Sequence, residues 1–359
     1  MPIENNRCLI IAEAGVNHNG SVDLAHRLVD AAADAGADVV KFQTFRASSL
    51  VSRSAPKAAY QTRQTGAEES QLEMLKALEL SESAHHELLR HCADRGVEFM
   101  SSPFDAESLN FLISLGVRRI KLGSGELTNA PMLLAVGQSG LPLILSTGMS
   151  VLAEVEAALG VLAFGYANKG AQPCRQAFLS AWASPTERWQ AFSKISLLHC
   201  TTEYPAPRDQ VNLRAMQTLK AAFGVECGFS DHTEGIAVSI AAVAMGATII
   251  EKHFTLDRSL PGPDHKASLE PRMFKAMVDG IREVESALGD GVKVPVPVEL
   301  PNMLVARKSL VATRPIKLGE TITADAITVK RPGSGLSPFE YWDVVGTVAQ
   351  RDYAFDDPI

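Results

Sequence analysis

The chain has 359 residues, 46% of them apolar and only 6% aromatic, enough to bury a full core in one large domain with a small one after it. A net charge of -7 argues against nucleic-acid and membrane-surface partners, which reward clustered Lys and Arg, so any anionic ligand must be held by a local pocket. Five scattered cysteines, Cys8, Cys92, Cys174, Cys200 and Cys227, offer no CxxC pair and no disulfide framework, which fits a reducing cytoplasm.

From the N-terminus, Cys8–Glu13 is a short β-rich run that turns at once into acidic and glycine positions, so it reads as a first strand and not as a signal peptide. Seven more such runs follow: Asp38–Thr44, Val97–Ser102, Arg119–Ser124, Pro142–Thr147, Ile195–Thr201, Glu226–Asp231 and Thr248–Phe254. Helical patterns separate them. VDLAHRLVDAAADAG carries Leu24, Leu28, Val29 and Ala32 at helical spacing with Gly36 as its stop. AESLNFLISLG repeats the pattern, and GIAVSIAAVAMG is apolar nearly all round. No stretch reaches the ~20 apolar residues of a membrane span.

Strands alternating with helices predict parallel pairing through right-handed crossovers. Eight such units in residues 1–289 match a (β/α)8 TIM barrel, and an open doubly wound sheet is the rival. An open sheet would gather its functional side chains at one switch point. Here they mark the C-terminal end of every strand, which favours the barrel. Two irregular pieces interrupt it: Ser48 to Gly66, a long excursion after the second strand suited to a lid, and Ala163 to Phe192, which reads as an insertion. Residues 290–302 (DGVKVPVPVELP and one more) alternate Val and Pro and predict an extended linker. Residues 303–359 show strand-like KSLVATRPI and ITVKRPG, turn signals and almost no helical period. So small a core is marginal and should lean on another surface.

The strand ends carry the chemistry. Glu13 closes the first strand in IAEAGVNHNG, and alternation in DVVKFQTF sends Lys41 and Gln43 to one face. SSPFD, KLGSGE and STGM add Ser102, Lys121, Ser124, Glu126 and Ser146. Each alone reads equally well as a solvated turn residue. Amines, hydroxyls and glycine-freed backbone N–H groups converging from adjacent strands are what a phosphate beside a carboxylate needs. His232 follows strand seven in GFSDHTEG and His253 ends strand eight in IIEKHF, so the two imidazoles are placed to share a divalent cation, with Glu251 beside them and His199 a third candidate. Asp264 and His265 lie on a polar loop beyond, while His18, His26, His85, His86 and His91 read as surface or helix residues without partners.

Taken in order, IAEAGVNHNG, VKFQTF, SSPFD, KLGSGE, STGM, LLHCTTEYPAP, FSDHTEG and IIEKHFTLDRSLPGPDHKASLEP resemble the N-acetylneuraminate synthase family, and ARKSLVAT, IKLGE and ITVKRPGSGLSP resemble its antifreeze-like (SAF, β-clip) domain. The resemblance spans nearly the whole chain. It implies a barrel enzyme that condenses phosphoenolpyruvate with the open-chain aldehyde of an N-acetylated amino sugar, by C–O cleavage. It implies a phosphoenolpyruvate shell of Lys41, Ser102, Lys121, Ser124, Ser146, Thr202 and Ser230, with Thr202 standing where the family often has Asn. His232 and His253 become ligands for Mn2+, with Mg2+ or Co2+ as substitutes, and His199 does not. Gln43, Glu126, Tyr204 and Asp264 resemble sugar-binding positions. Arg331 resembles an arginine lent by the SAF domain of the other subunit in a swapped homodimer. Glu13 is placed to activate water and Glu251 to assist it. The resemblance implies N-acetylmannosamine as acceptor, with a diacetamido-trideoxy hexose, giving legionaminic or pseudaminic acid, as the alternative; LLHCTTEYPAP and KRPGSGLSP lean towards neuraminate or legionaminate. A Schiff-base pyruvate aldolase using Lys121 or Lys41 is the mechanistic rival. A non-catalytic carbohydrate- or ice-binding protein would leave the barrel residues unexplained.

Overall fold

The computed structural model describes residues 7–52, 55–57, 62, 70–167 and 170–359. Eight strands are β1 (Leu9–Gly15), β2 (Val39–Thr44), β3 (Glu98–Pro103), β4 (Ile120–Leu122), β5 (Leu143–Ser146), β6 (Ile195–Cys200), β7 (Glu226–Asp231) and β8 (Ile249–His253). They pair in parallel in the order β3-β2-β1-β8-β7-β6-β5-β4, and β3 packs beside β4 to bring the row round into a nearly closed barrel with helices outside.

Period-2 alternation layers the interior. Ile11, Val39, Met100, Ile144, Leu198 and Ile249 form an apolar plug inside the strands. Two residues further along stand Glu13, Lys41, Ser102, Ser146, Cys200 and Glu251, all buried. The plug therefore sets the floor on which the polar layer rests. Gly228 belongs to it, since a Cβ there would sit 2.4 Å from the Ile249 carbonyl and 2.7 Å from Leu198. The outward residues of the strands, such as Ile10, Val40 and Phe42, pack on the helices in the main core.

The insertion expected over 163–192 is different in the structure. Ala163 lies inside a helix that runs Leu152–Ala167, and the helices Arg175–Ala183 and Pro185–Phe192 follow. Gly165 is a contact point and not a break: its added Cβ would lie 3.0 Å from Gly137 Cα on the neighbouring helix Ala130–Ser139. Pro185 starts a helix, where a missing N–H costs nothing. The excursion after β2 lies largely outside the described residues. Its described residues are 48–52, 55–57 and 62, which include most of a short helical turn, Ala47–Leu50; the helix Gln71–Lys76, with a Ser70 capping box, comes after it.

Residues Asp290–Ile359 form a second compact unit. Here β9 (Ser309–Ala312) pairs antiparallel with β10 (Ile327–Lys330) over a core of Ala312, Ile316, Ile322, Ala326, Ile327 and Ala349. Two expectations hold only in part, since residues 290–296 carry no helix. The Val-Pro run gives way to a turn at Pro297–Glu299 and a helix, Leu300–Ala306, because Pro301 falls in its first turn. A second short helix, Tyr341–Val344, adds to the helical content that periodicity missed.

Candidate active site

The C-terminal ends of the strands enclose a cavity of about 310 Å³. Lys41 Nζ lies 2.5 Å from Glu13 Oε2 and 3.7 Å from Glu251 Oε2, and donates to Ser102 Oγ at 3.3 Å. Lys121 Nζ donates to Ser146 Oγ at 2.8 Å and to the Leu122 carbonyl at 3.2 Å, and lies 3.5 Å from Glu251 Oε1. Ser230 donates to that same Glu251 oxygen at 2.9 Å. Gln43 donates to Glu13 Oε1 at 3.2 Å. Two amines thus face two carboxylates, all four side chains buried at the floor of the cavity.

The titration of these groups follows from that arrangement. Burial pushes the Glu251 carboxyl up, but Lys121 and Lys41 outweigh it and bring it down to about 2. Burial pushes Lys41 down, but Glu13 and Glu251 more than offset it, and its ammonium is held above the usual lysine range. Lys121 stays below that range, because burial dominates over the pull of Glu251 and Lys41 repels it. Burial raises Glu13 against the pull of Lys41, and Glu251 adds to the rise. Asp264, on the loop after β8, lines the same cavity, and burial with repulsion from Glu13 pushes it up to about 7.

His232 and His253 face each other with ring centroids 5.5 Å apart, and Tyr204 packs 4.2 Å and 5.3 Å from them. His232 Nδ1 lies 2.6 Å from the Thr201 carbonyl, so it carries the proton and donates. Nε2 keeps its lone pair, 3.3 Å from Ser230 Oγ. His253 Nδ1 is buried without a hydrogen-bond partner among the described residues. Burial lowers both imidazoles, His232 to about 4, so both are neutral near pH 7. Neutral rings with free lone pairs, one of them oriented by a backbone carbonyl, suit a divalent cation. Among the described residues no group of three or more His, Cys, Asp or Glu is arranged to hold a metal, so water or substrate oxygen would complete the shell.

Ser124, Thr202 and Tyr204 also line the cavity. Glu126 does not: it is half-buried on the turn after β4, accepts from Asn129 Nδ2 at 2.6 Å, and burial raises it. Arg331 lies in the second unit, exposed, with Nε donating to the Ala306 carbonyl at 3.0 Å. His199 points to the outer face of β6, where Nε2 meets the Val211 carbonyl at 2.7 Å. His265 is held between Thr255 Oγ1 and Asn19 Oδ1 at 2.7 and 3.1 Å. Of the other histidines, His26, His85, His86 and His91 do lie on helices and His86 is exposed, but several are buried or paired. His18 is fully buried and accepts from Gly20 N at 3.0 Å, and His85 is fully buried between Thr44 Oγ1 and the Ser81 carbonyl at 2.8 and 2.9 Å. His91 meets Asp30 at 2.9 Å.

Several site features escaped the sequence. Cys200 lines the cavity, with Sγ 3.2 Å from Ser124 Oγ. Gly148, in STGM, donates its N–H to Ser124 Oγ at 2.9 Å, and a Cβ there would lie 2.4 Å from Thr202 Oγ1 and 2.8 Å from Ser124 Oγ. Behind the floor, Lys252 Nζ lies 3.0 Å from Asp231 Oδ2 with both side chains at 0% exposure, and Asp231 also accepts from Ser239 Oγ and Thr233 N. Their neighbours in sequence are His253 and His232.

The NeuB family matches residues 28–293, and the SAF domain matches residues 307–359. The N,N'-diacetyllegionaminic acid synthase of Campylobacter jejuni is 47% identical over 353 residues, which cover 98% of this chain and 99% of that protein. The enzyme of the same name from Legionella pneumophila is 47% identical over 340 residues, covering 95% and 90%. The crystal structure of the N-acetylneuraminic acid (sialic acid) synthetase of Leptospira borgpetersenii serovar Hardjo-bovis, in complex with citrate, matches with a TM-score of 0.68 at 31% identity, covering 84% of this chain and 94% of that one. With relatives this similar along nearly its whole length, the chain belongs to the NeuB family of sialic-acid-type synthases and carries a SAF domain.

Proposed function

We propose that the chain condenses phosphoenolpyruvate with the open-chain aldehyde of a 2,4-diacetamido-trideoxy hexose, giving an N,N'-diacetyllegionaminic acid and phosphate. This sugar, the alternative acceptor of the resemblance, replaces N-acetylmannosamine, its main one. Its support is that relatives at 47% identity are diacetyllegionaminic acid synthases, whereas the neuraminate synthetase stands at 31%. The donor rests on one observation: Lys41, Lys121 and the hydroxyls of Ser102, Ser146 and Ser230, all buried, converge from five strands on one cavity.

Glu13 and Glu251 already balance the two lysines, so the floor has no surplus positive charge for a phosphate and a carboxylate. A divalent cation on His232 and His253, Mn2+ before Mg2+ or Co2+, would supply that charge and polarise the aldehyde oxygen. Lys41, Lys121 and the serines neutralise and orient phosphoenolpyruvate. Its C3 then attacks the aldehyde carbon, forming the C–C bond and leaving positive charge at C2. Water adds at C2 and gives its proton to Glu13, whose affinity for a proton burial raises. Collapse of that tetrahedral centre breaks the C2–O bond to the phosphate oxygen, expels phosphate, which keeps the hydroxyl proton, and leaves the keto acid, while the aldehyde oxygen takes up the proton held on Glu13. Glu251, held by Lys41, Lys121 and Ser230, fixes the two amines in place. The proposal includes a swapped homodimer in which Arg331 of the partner subunit completes the sugar site.

The lowered proton affinity of Lys121 is the observation that favours a Schiff-base aldolase. Borohydride with pyruvate separates the two, and no inactivation is expected. The decisive test is phosphate release from phosphoenolpyruvate with each candidate sugar, in Mn2+ and in EDTA. Release with the diacetamido sugar in Mn2+ alone is expected, and no release with any acceptor refutes the proposal.

A further inference from the structure

The cavity has two unlike walls. The charged floor is made by strand residues. Facing it is an apolar wall: Val16 after β1, Leu50 and Val51 beyond β2, Met74 and Leu75 on the helix Gln71–Lys76, and Leu78 just past it. These residues, with Phe45 and Ala47, cohere in an apolar cluster separate from the main core. Met74, Leu75 and Leu78 are buried, while Leu50 and Val51 are half-buried and border the open space. Phosphate, carboxylate and sugar hydroxyls give such a wall nothing to bind. Its presence calls for a ligand with apolar substituents.

The acceptor's aldehyde must reach the floor, where the amines and imidazoles lie. The far end of the sugar then faces the segments that rise beyond the strand ends. In N-acetylmannosamine that end carries hydroxyls at C4 and C6. In the diacetamido-trideoxy hexose it carries an acetamido group at C4 and a methyl at C6. We infer that Leu50, Val51, Met74, Leu75 and Leu78 are the specificity wall that receives the C6 methyl and the C4 acetamido methyl. Gln71 lines the same wall and offers an amide N–H to the acetamido carbonyl. This rests on the proposed synthase activity and adds to it the residues that choose the sugar. An apolar pocket discriminates by ~10–200-fold for a single methyl-sized group, so the wall supplies a preference of that size.

The test is steady-state kinetics of the full chain with Mn2+ and phosphoenolpyruvate, each sugar in turn, for wild type, Leu50→Ser and the near-isosteric Val51→Thr. The readout is the ratio of kcat/KM between the two sugars, which a general loss of folded enzyme leaves untouched. Leu50→Ser is expected to lower the preference for the diacetamido sugar about tenfold or more, through the KM of the sugar, with the KM of phosphoenolpyruvate unchanged. Val51→Thr is expected to lower it less, in the same direction. If wild type turns over the diacetamido sugar and both variants keep its ratio, the wall inference is overturned and the synthase reading stands. If wild type prefers N-acetylmannosamine, the wall inference is overturned as well. If wild type releases no phosphate with either sugar, the synthase reading falls and takes the wall with it.

Discussion

Lys121 Nζ lies 3.5 Å from Glu251 Oε1, although β4 and β8 stand four places apart in the ring of strands, on opposite sides of the barrel. The pair spans the cavity floor, and Lys41 closes it from β2 at 3.7 Å. Removing either amine therefore alters the binding of an anion before it alters anything at the rim. Lys121→Met should raise the KM for phosphoenolpyruvate about 10- to 100-fold, the cost of a lost charged hydrogen bond, with the KM for the sugar changed by a small factor. Initial-rate kinetics with each substrate varied in turn check this. Equal effects on both KM values contradict the assignment.

Gly148 is held by space and not by turn geometry. A Cβ there would press on Thr202 Oγ1, Ser124 Oγ and Cys200 Sγ at 2.4, 2.8 and 3.0 Å, and the backbone cannot yield without moving Ser124. Gly148→Ala should leave the melting temperature within a few degrees and weaken phosphoenolpyruvate binding by roughly tenfold or more. Calorimetric titration against a circular-dichroism melt separates the two effects.

Barrel and strand ends were legible in the sequence, and the rest of the site was not, for a physical reason. The alternation in DVVKFQTF depends only on the strand's own geometry, so it placed Lys41 and Gln43 on one face, and Glu251 with His253 follows the same rule. Gly165 and Gly148 serve contacts with segments distant in the chain, which local sequence does not reveal. The apolar wall of Leu50, Met74 and Leu75 carries no motif at all, since any apolar residue satisfies it. Lys252 and Asp231 carry no signal of their own in the sequence, since only the packing of β7 on β8 makes them a pair.

That pair sets a stability prediction. Both charges are out of water, so Lys252→Met leaves Asp231 buried and unpaired and should cost about 3–5 kcal/mol in denaturant unfolding. Adding Asp231→Leu should recover a large part of that loss. A single variant of near wild-type stability would contradict it.

Asp264 makes stability fall with pH. Its carboxyl is raised from 3.8 to about 7, so the fold prefers the neutral form: that preference is fully present below pH 3.8 and is lost as pH rises to about 7. Asp264→Asn should therefore gain stability over wild type at pH 8, by at most roughly 4 kcal/mol, and gain little near pH 4. Urea titrations at the two pH values read the difference. A gain equal at both would contradict the buried carboxyl.

Mn2+ should bind with one ion per chain in a paramagnetic-resonance titration, and His253→Ala should weaken it by more than about 100-fold without unfolding the barrel. Unaltered Mn2+ binding in that variant would contradict the imidazole pair as its site.

The most direct measurement uses phosphoenolpyruvate carrying 18O in its C2–O–P bridge, incubated with the chain, Mn2+ and the diacetamido-trideoxy hexose. Cleavage of the C2–O bond sends the label out with the leaving group, so the released phosphate should carry 18O. Phosphate without the label, or product formed with no phosphate released, would contradict a condensation carried out by Lys41, Lys121 and Glu13 at this floor.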